Sequence, residues 1–191
     1  SVLTTEHMWL VEMGQQIKSN FPDIPIIVGG VHAILYPRVV LQIPGIDYVC
    51  TGEGELTLAN LCESIEKGAA DVRNIKGIGY RNGNDMIINE GESLLDNLSG
   101  HFDDREVYYR QYPLFKSDEL KQFIASRGCP YKCTFCFNEQ LMDVYRSKGK
   151  YVRMKEPEHF IKEIQLVKES AVMKSLFFAD DLFTMNKPWL R

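Results

Sequence analysis

The sequence has no apolar run approaching the ~20 residues that a membrane-crossing helix needs, so no transmembrane segment is expected. It has no basic n-region, apolar h-region and small-residue cleavage site at its start, which argues against secretion and for the cytoplasm. It has no excess of positive charge. Lys and Arg number 22 against 26 Asp and Glu, a formal net charge of -4, so no nucleic-acid partner is expected. Histidine is scarce, and His7, His101 and His159 show no ligand spacing. Internal repeats and low-complexity tracts are missing. So is an initiator methionine: the chain opens on Ser1 in what resembles a strand end, and it closes on Lys187-Pro188-Trp189-Leu190-Arg191 without a terminal element. A fragment is expected. With 25% charged and 45% hydrophobic residues the composition is that of a globular chain, which excludes wholesale disorder. The 191 residues suit one ordinary domain or two small ones.

Cysteine is present in an odd number, five, and is unevenly placed. Cys50 and Cys62 stand apart and read as small core residues. Cys129, Cys133 and Cys136 fall within eight residues with the spacing C-x-x-x-C-x-x-C. Without an export signal this points to metal or redox chemistry rather than a disulfide framework. Three thiolates on one loop suit three irons of a four-iron, four-sulfur cluster, with the fourth iron open to an outside ligand. A structural zinc site and three unrelated thiols are the alternatives. A zinc site would want a fourth ligand, and the other cysteines lie far upstream.

The organisation is α/β. An apolar stripe of Met8, Trp9, Val11, Met13 and Ile17 marks a helix from about Thr5 to Ser19. Ile24-Pro25-Ile26-Ile27-Val28, apolar throughout, reads as a strand buried on both faces and ending in Gly29-Gly30. A short helix from Pro37 to Gln42 leads to a second strand, Ile46 to Cys50, and Gly52-Glu53-Gly54-Glu55 opens a helix ending near Gly68. Ile78 to Arg81 and Met86 to Ile88 around Asn82-Gly83 read as a hairpin. Ser93 to Asp118 reads as a connector with little regular structure. Gln122 to Ser126 is a strand running into the cysteine loop, and Glu139 to Arg153 is a polar loop or broken helix. Pro157 to Ser170 is a helix with Phe160, Ile164 and Val167 on one face. Ser175 to Ala179 is the next strand, ending at Asp180-Asp181. The expected divisions are residues 1–70, a connecting segment 71–120, and 121–191.

The segment from Ser126 to Cys136, with Phe135 just before the last cysteine, resembles the signature loop of radical S-adenosylmethionine enzymes. Tyr151-Val152-Arg153, Glu163-Ile164 and Phe178 to Phe183 extend the likeness to the subfamily that carries an N-terminal cobalamin-binding domain. The resemblance implies a [4Fe-4S] cluster on Cys129, Cys133 and Cys136. Its open iron would chelate S-adenosylmethionine, and one-electron reduction would release a 5′-deoxyadenosyl radical. It also implies adenine near Phe135, and the methionine amino group near Asp180 and Asp181; an N-cap role for the two aspartates stands beside that reading. Ser1 and Leu3, followed by Gly29-Gly30 at the family's interval, resemble the later part of the cobalamin signature. Those glycines would let the backbone approach the corrin's nucleotide tail. The D-x-H-x-x-G part of that signature would lie upstream of Ser1. His32 is expected to line the loop rather than to ligate cobalt.

The resemblance therefore implies a partial flavodoxin-like cobalamin-binding domain followed by the first strands and helices of a radical enzyme's partial TIM-type barrel. It implies cobalamin-assisted methyl transfer to an unactivated centre, with radical cyclisation or rearrangement as the alternative. A small-molecule or lipid-like substrate and an electron donor such as flavodoxin or ferredoxin would be its partners. The 191 residues alone are expected to be inactive. A non-catalytic metal- or corrin-binding module with structural cysteines is the reading of another class.

Overall fold

The computed structural model describes residues 1–68, 71–100 and 102–191; His101 lies outside them. The chain forms two compact units: Ser1–Leu94 with Lys132–Gly149, and Leu95–Tyr131 with Lys150–Arg191. Among the described residues no helix is long and apolar enough to cross a membrane.

In the first unit a short 3-10 turn over Thr4–Glu6 leads into α1 (His7–Asn20). Then come β1 (Ile27–Val28), α2 (Val31–Leu35), α3 (Pro37–Leu41), β2 (Tyr48–Cys50) and α4 (Gly54–Glu66). Pro37 stands in the first turn of α3, where its missing N–H costs nothing. The hairpin follows as β3 (Ile78–Asn82) and β4 (Asp85–Ile88), turning through Gly83 at φ +60°. The strand order is β1-β2-β3-β4. β1 and β2 are parallel, with Val28 opposite Val49; β3 runs antiparallel to β2, with Gly79 opposite Val49. The hairpin expected within a separate connector thus extends the α/β sheet. Its apolar residues explain why: Ile78 is fully buried, and Ile87 packs with it against Leu61 and Ile75 of the same cluster. Arg81 fastens the junction, donating to the Leu41 carbonyl at 2.7 Å and the Ile46 carbonyl at 2.8 Å. Val40, Leu41, Ile46 and Val49 are buried completely. Each contributes about 1.5–3 kcal/mol of burial free energy.

The second unit begins with α5 (Glu106–Gln111) and α6 (Pro113–Ser117), two short helices in the stretch expected to lack regular structure. Weak periodicity hid them, because most of their residues are exposed. β5 (Leu120–Phe123) and β6 (Ser126–Arg127) precede the cysteine loop. Beyond the loop, α7 (Phe137–Val144) belongs to the first unit, so the polar stretch read as a loop or broken helix begins as a helix. β7 (Arg153–Met154), α8 (Pro157–Ser170) and β8 (Ser175–Phe178) complete the second unit, with a 3-10 turn over Phe183–Met185. β5 pairs parallel with β8, and β6 antiparallel with β7. The β5-α8-β8 crossover is the βαβ unit expected from the sequence. Phe123, Phe160 and Val167 form its core, with Ile164, Phe178, Phe183 and Trp189 packed against them.

Two charges are buried in this unit. Glu163 is 2% exposed and holds the Lys155 ammonium at 2.5 Å, with Arg105 at 3.8 Å. Lys121, on β5, is 3% exposed. Its ammonium donates to the carbonyls of Phe115, Lys116 and Asp118, closing the end of α6, where a helix leaves its carbonyls without partners. Burial lowers its pKa from the usual lysine value. Replacing Lys121 with Ala should strand those carbonyls and cost about 1–3 kcal/mol. A correspondingly lower urea midpoint, with the far-UV spectrum of the folded state retained, is the expected readout.

Candidate functional site

Two strand-end loops carry the residues singled out from the sequence, one in the first unit and one that departs from strands of the second. In the first unit, Ser1-Val2-Leu3 lies against the end of β1. The Val2 N–H donates to the Gly29 carbonyl at 2.8 Å, and the His32 N–H donates to the Val2 carbonyl at 3.1 Å. Ser1 and Val2 thereby lie against Gly29-Gly30. Gly30 has φ +96°, a conformation that strains residues bearing a Cβ. A Cβ there would also stand 2.5 Å from Ser1 Oγ and 2.6 Å from Val2 N. The first demand on this glycine is therefore the close approach of the chain's own opening residues, which form no strand although the sequence suggested a strand end there. Gly29 is roomier: its added Cβ would meet Cys50 Cβ at 3.6 Å, an ordinary contact. Beside this cradle an open apolar groove of about 550 Å³ runs along α1 and β1, lined by Val2, Leu10, Met13, Ile17, Ile26 and Val28.

His32, the residue after Val31, is 4% exposed and points into the protein. Its Nε2 lies 3.0 Å from His7 Nδ1 and its Nδ1 lies 3.2 Å from Thr4 Oγ1. Both ring nitrogens are engaged within the fold. The pairing also gives His7 a structural partner that sequence spacing did not reveal. A contact across 25 positions carries no local signal.

In the second unit the loop-bearing strands are held by Asp180, just past the end of β8. Its carboxylate accepts the Ala125 N–H, at 3.1 Å to each oxygen, and the Ser126 hydroxyl. The sequence offered two roles for Asp180, an ammonium contact or a helix cap. The structure shows a third: a clamp between adjacent strand ends. Asp181 beside it is exposed. Gly128, at φ +81°, turns the chain into the cysteine loop, and a Cβ on it would strike the Tyr151 carbonyl at 2.6 Å.

Cys129 belongs to the second unit, Cys133 and Cys136 to the first. All three are free thiols, Cys133 exposed and the other two partly so. The Cys136 N–H donates to the Cys133 carbonyl at 2.9 Å, and Cys136 is the N-cap residue of α7. Phe135 between them is 92% exposed. Among the described residues no group of three or more His, Cys, Asp or Glu is gathered as a metal site. The donor set nevertheless fits an iron–sulfur cluster: three unpaired thiols on one continuous segment outside helix and strand. Such loops close when metal–sulfur bonds compensate for bringing thiolates together. Cys50 is buried, as expected for a core residue; Cys62, expected in the core as well, is exposed on α4.

The chain therefore carries an α/β layer with a glycine pair at the end of a parallel strand, and a three-thiol loop followed along the sequence by a βαβ unit. A family model for the B12 binding domain matches residues 1–62. The chain is 28% identical over 193 aligned residues to an uncharacterised methyltransferase of Pyrococcus horikoshii, covering 96% of this chain and 39% of the relative. It is 26% identical over 181 residues to an anaerobic magnesium-protoporphyrin IX monomethyl ester cyclase of Rubrivivax gelatinosus, covering 91% and 31%. Among solved structures it resembles TsrM, a radical S-adenosylmethionine methyltransferase from Kitasatospora setae. The TM-score is 0.65 at 18% identity, over 92% of this chain and 33% of that one. It also resembles OxsB, a cobalamin-dependent S-adenosylmethionine radical enzyme. There the TM-score is 0.67 at 20% identity, over 92% and 24%. The chain is thus similar, over most of its length, to radical S-adenosylmethionine enzymes and their relatives, and its first 62 residues match a B12 binding domain. It spans between a quarter and two-fifths of the length of these relatives.

Two outcomes follow from this geometry. Burial first, and the charge of His7 second, lower the His32 pKa from 6.5. The folded chain therefore refuses a proton that the unfolded chain accepts as pH falls through the histidine range. Stability present above about pH 6.5 is lost below it. The urea midpoint should fall between about pH 7.5 and about pH 5.5, and less steeply in His32→Asn. At the other loop, Asp180→Ala strands the Ala125 N–H and the Ser126 hydroxyl, which should cost about 1–3 kcal/mol. Asp180→Asn keeps an acceptor and should recover most of it in the same unfolding measurement.

Proposed function

We propose that this chain is the cofactor-bearing part of a cobalamin-dependent radical S-adenosylmethionine enzyme whose reaction is methyl transfer to an unactivated centre. The observation that carries the proposal is the pairing, in one chain, of a B12 binding domain match over residues 1–62 with the three-thiol loop from Cys129 to Cys136. Cys129, Cys133 and Cys136 would hold a [4Fe-4S] cluster. Such a cluster would supply one electron to bound S-adenosylmethionine, whose C–S bond would break to methionine and a 5′-deoxyadenosyl radical able to abstract hydrogen.

This chain's residues would bind and orient. Gly29 and Gly30, with Ser1 and Leu3 beside them, offer cobalamin a strand end stripped of side chains, where open α/β sheets take their ligands. Phe135, almost wholly exposed, offers adenine an aromatic face. Asp180 and Asp181 place carboxylate charge at the end of β8, which suits the ammonium of a bound methionine group. The Asp180 clamp would also keep Ser126-Arg127-Gly128 in the conformation from which the cysteine loop departs. An electron donor such as flavodoxin or ferredoxin would serve the cluster. The substrate would be a small or lipid-like molecule, and the cytoplasm is the proposed compartment. Radical cyclisation is the second reading, favoured by the similarity to a cyclase over 91% of the chain.

The test uses the full-length protein, purified anaerobically. It should carry about four irons with matching labile sulfide, and cobalamin visible in its absorbance spectrum. Cys133→Ala should abolish reductive cleavage of S-adenosylmethionine. One zinc per chain without labile sulfide, or cleavage by Cys133→Ala at the parent rate, overturns the proposal in favour of a non-catalytic binding module.

A further inference from the structure

We infer that Asn138 tunes the reduction potential of the cluster by donating a hydrogen bond to the sulfur of Cys136; the inference rests on the cluster assignment proposed above. Asn138 lies two residues beyond Cys136, in the first turn of α7, and is 3% exposed. Its side-chain amide nitrogen stands 3.6 Å from Cys136 Sγ, within the range of an N–H···S bond. A thiolate only accepts, so the amide must present its nitrogen to the sulfur. As the N-cap residue of α7, Cys136 could have taken a backbone N–H with its side chain, and it makes no such bond. The sulfur is served by a side chain instead.

The support for that side chain is rigid. α7 is an eight-residue helix that packs on α2 within the first unit, and Leu141 and Tyr145 behind Asn138 are buried. A surface asparagine would share its hydrogen bond with water, whereas a buried one holds it in a low-dielectric setting where it counts for more.

The consequence is electrostatic. Reduction adds one electron, and with it negative charge spread over the ligating sulfurs. A donor fixed at one sulfur therefore stabilises the reduced form more than the oxidised form and raises the potential. The positive end of the α7 dipole acts in the same sense at the same residue. Asn138 is thus a positioning and tuning residue that works through Cys136 without touching substrate.

The experiment compares the full-length protein with its Asn138→Leu, Asn138→Asp and Asn138→Ser variants. Each is reconstituted anaerobically with iron and sulfide and titrated with dithionite while the reduced-cluster EPR signal is followed. Leu keeps the volume and removes the donor, and Asp replaces the donor with negative charge. The midpoint potential should become more negative in both, and more so in Asp. Ser, which keeps a short donor, should fall between parent and Leu, and it keeps the test open where Leu does not fold. Parent and variants loaded with cluster and sharing one potential would overturn the inference while leaving the cluster assignment standing. Loss of the cluster in all three variants would make Asn138 a purely structural residue, and overturn it too. A parent that assembles no iron–sulfur cluster would overturn both.

Discussion

The first unit depends on one close approach: Val2 lies against Gly29 and Gly30, exchanging backbone hydrogen bonds with Gly29 on one side and His32 on the other. The end of a parallel strand leaves backbone donors and acceptors that must be paired or solvated. Here the opening segment of the chain pairs them, and only a residue without a side chain allows it, since a Cβ at Gly30 would overlap Ser1 and Val2. The same approach directs His32 inward at the start of α2, where it meets His7 and Thr4. α7, which follows the cysteine loop, packs on α2. The cradle expected to take cobalamin and the helix capped by Cys136 are therefore parts of one packed body.

A second habit runs through both units: charged side chains are spent on backbone groups. Arg81 serves carbonyls at the end of α3 and before β2, Lys121 those at the end of α6, and Arg153 the carbonyl of Leu95 at 2.7 Å. Asp180 does the converse and takes up a strand-end N–H. Each such charge is hydrogen-bonded, as a buried or half-buried charge must be. The interactions hold loops in place rather than filling the core, and they concentrate where elements end. Function in α/β folds is built at those same places. Asp180 and Gly30, both at such strand ends, carry structural duty of this kind.

Much of the fold was legible because its signals are local. The apolar run into Gly29-Gly30, the Asn82-Gly83 turn, and Pro157 opening a helix with Phe160, Ile164 and Val167 on one face each depend on residues a few positions apart. The short helices α5 and α6 were missed, since few of their side chains are buried and little periodicity results; α7, read as a loop or broken helix, is short and has only Leu141 and Tyr145 as its buried apolar anchors. The hairpin was seen, but its neighbour was not. Pairing between β2 and β3 joins residues about thirty positions apart, and the hairpin's own pattern does not name its partner strand. Lys121 defeated the pattern outright: a lysine in a strand reads as solvent-facing, and it became buried because three carbonyls lay within its reach.

For the site, the sequence by itself determined which atoms are available. It set three thiols at a spacing that suits one cluster, an aromatic residue among them, a glycine pair at a strand end, and a pair of aspartates at another. These are matters of residue chemistry and of covalent distance along the chain. Only the tertiary structure decided what those atoms are already doing. It gave both oxygens of Asp180 to Ala125 and Ser126, both nitrogens of His32 to His7 and Thr4, and the sulfur of Cys136 to the amide of Asn138. The physical reason is that a hydrogen bond depends on separation and direction in space. Residues 25 or 54 positions apart reach that separation only after the strands have paired.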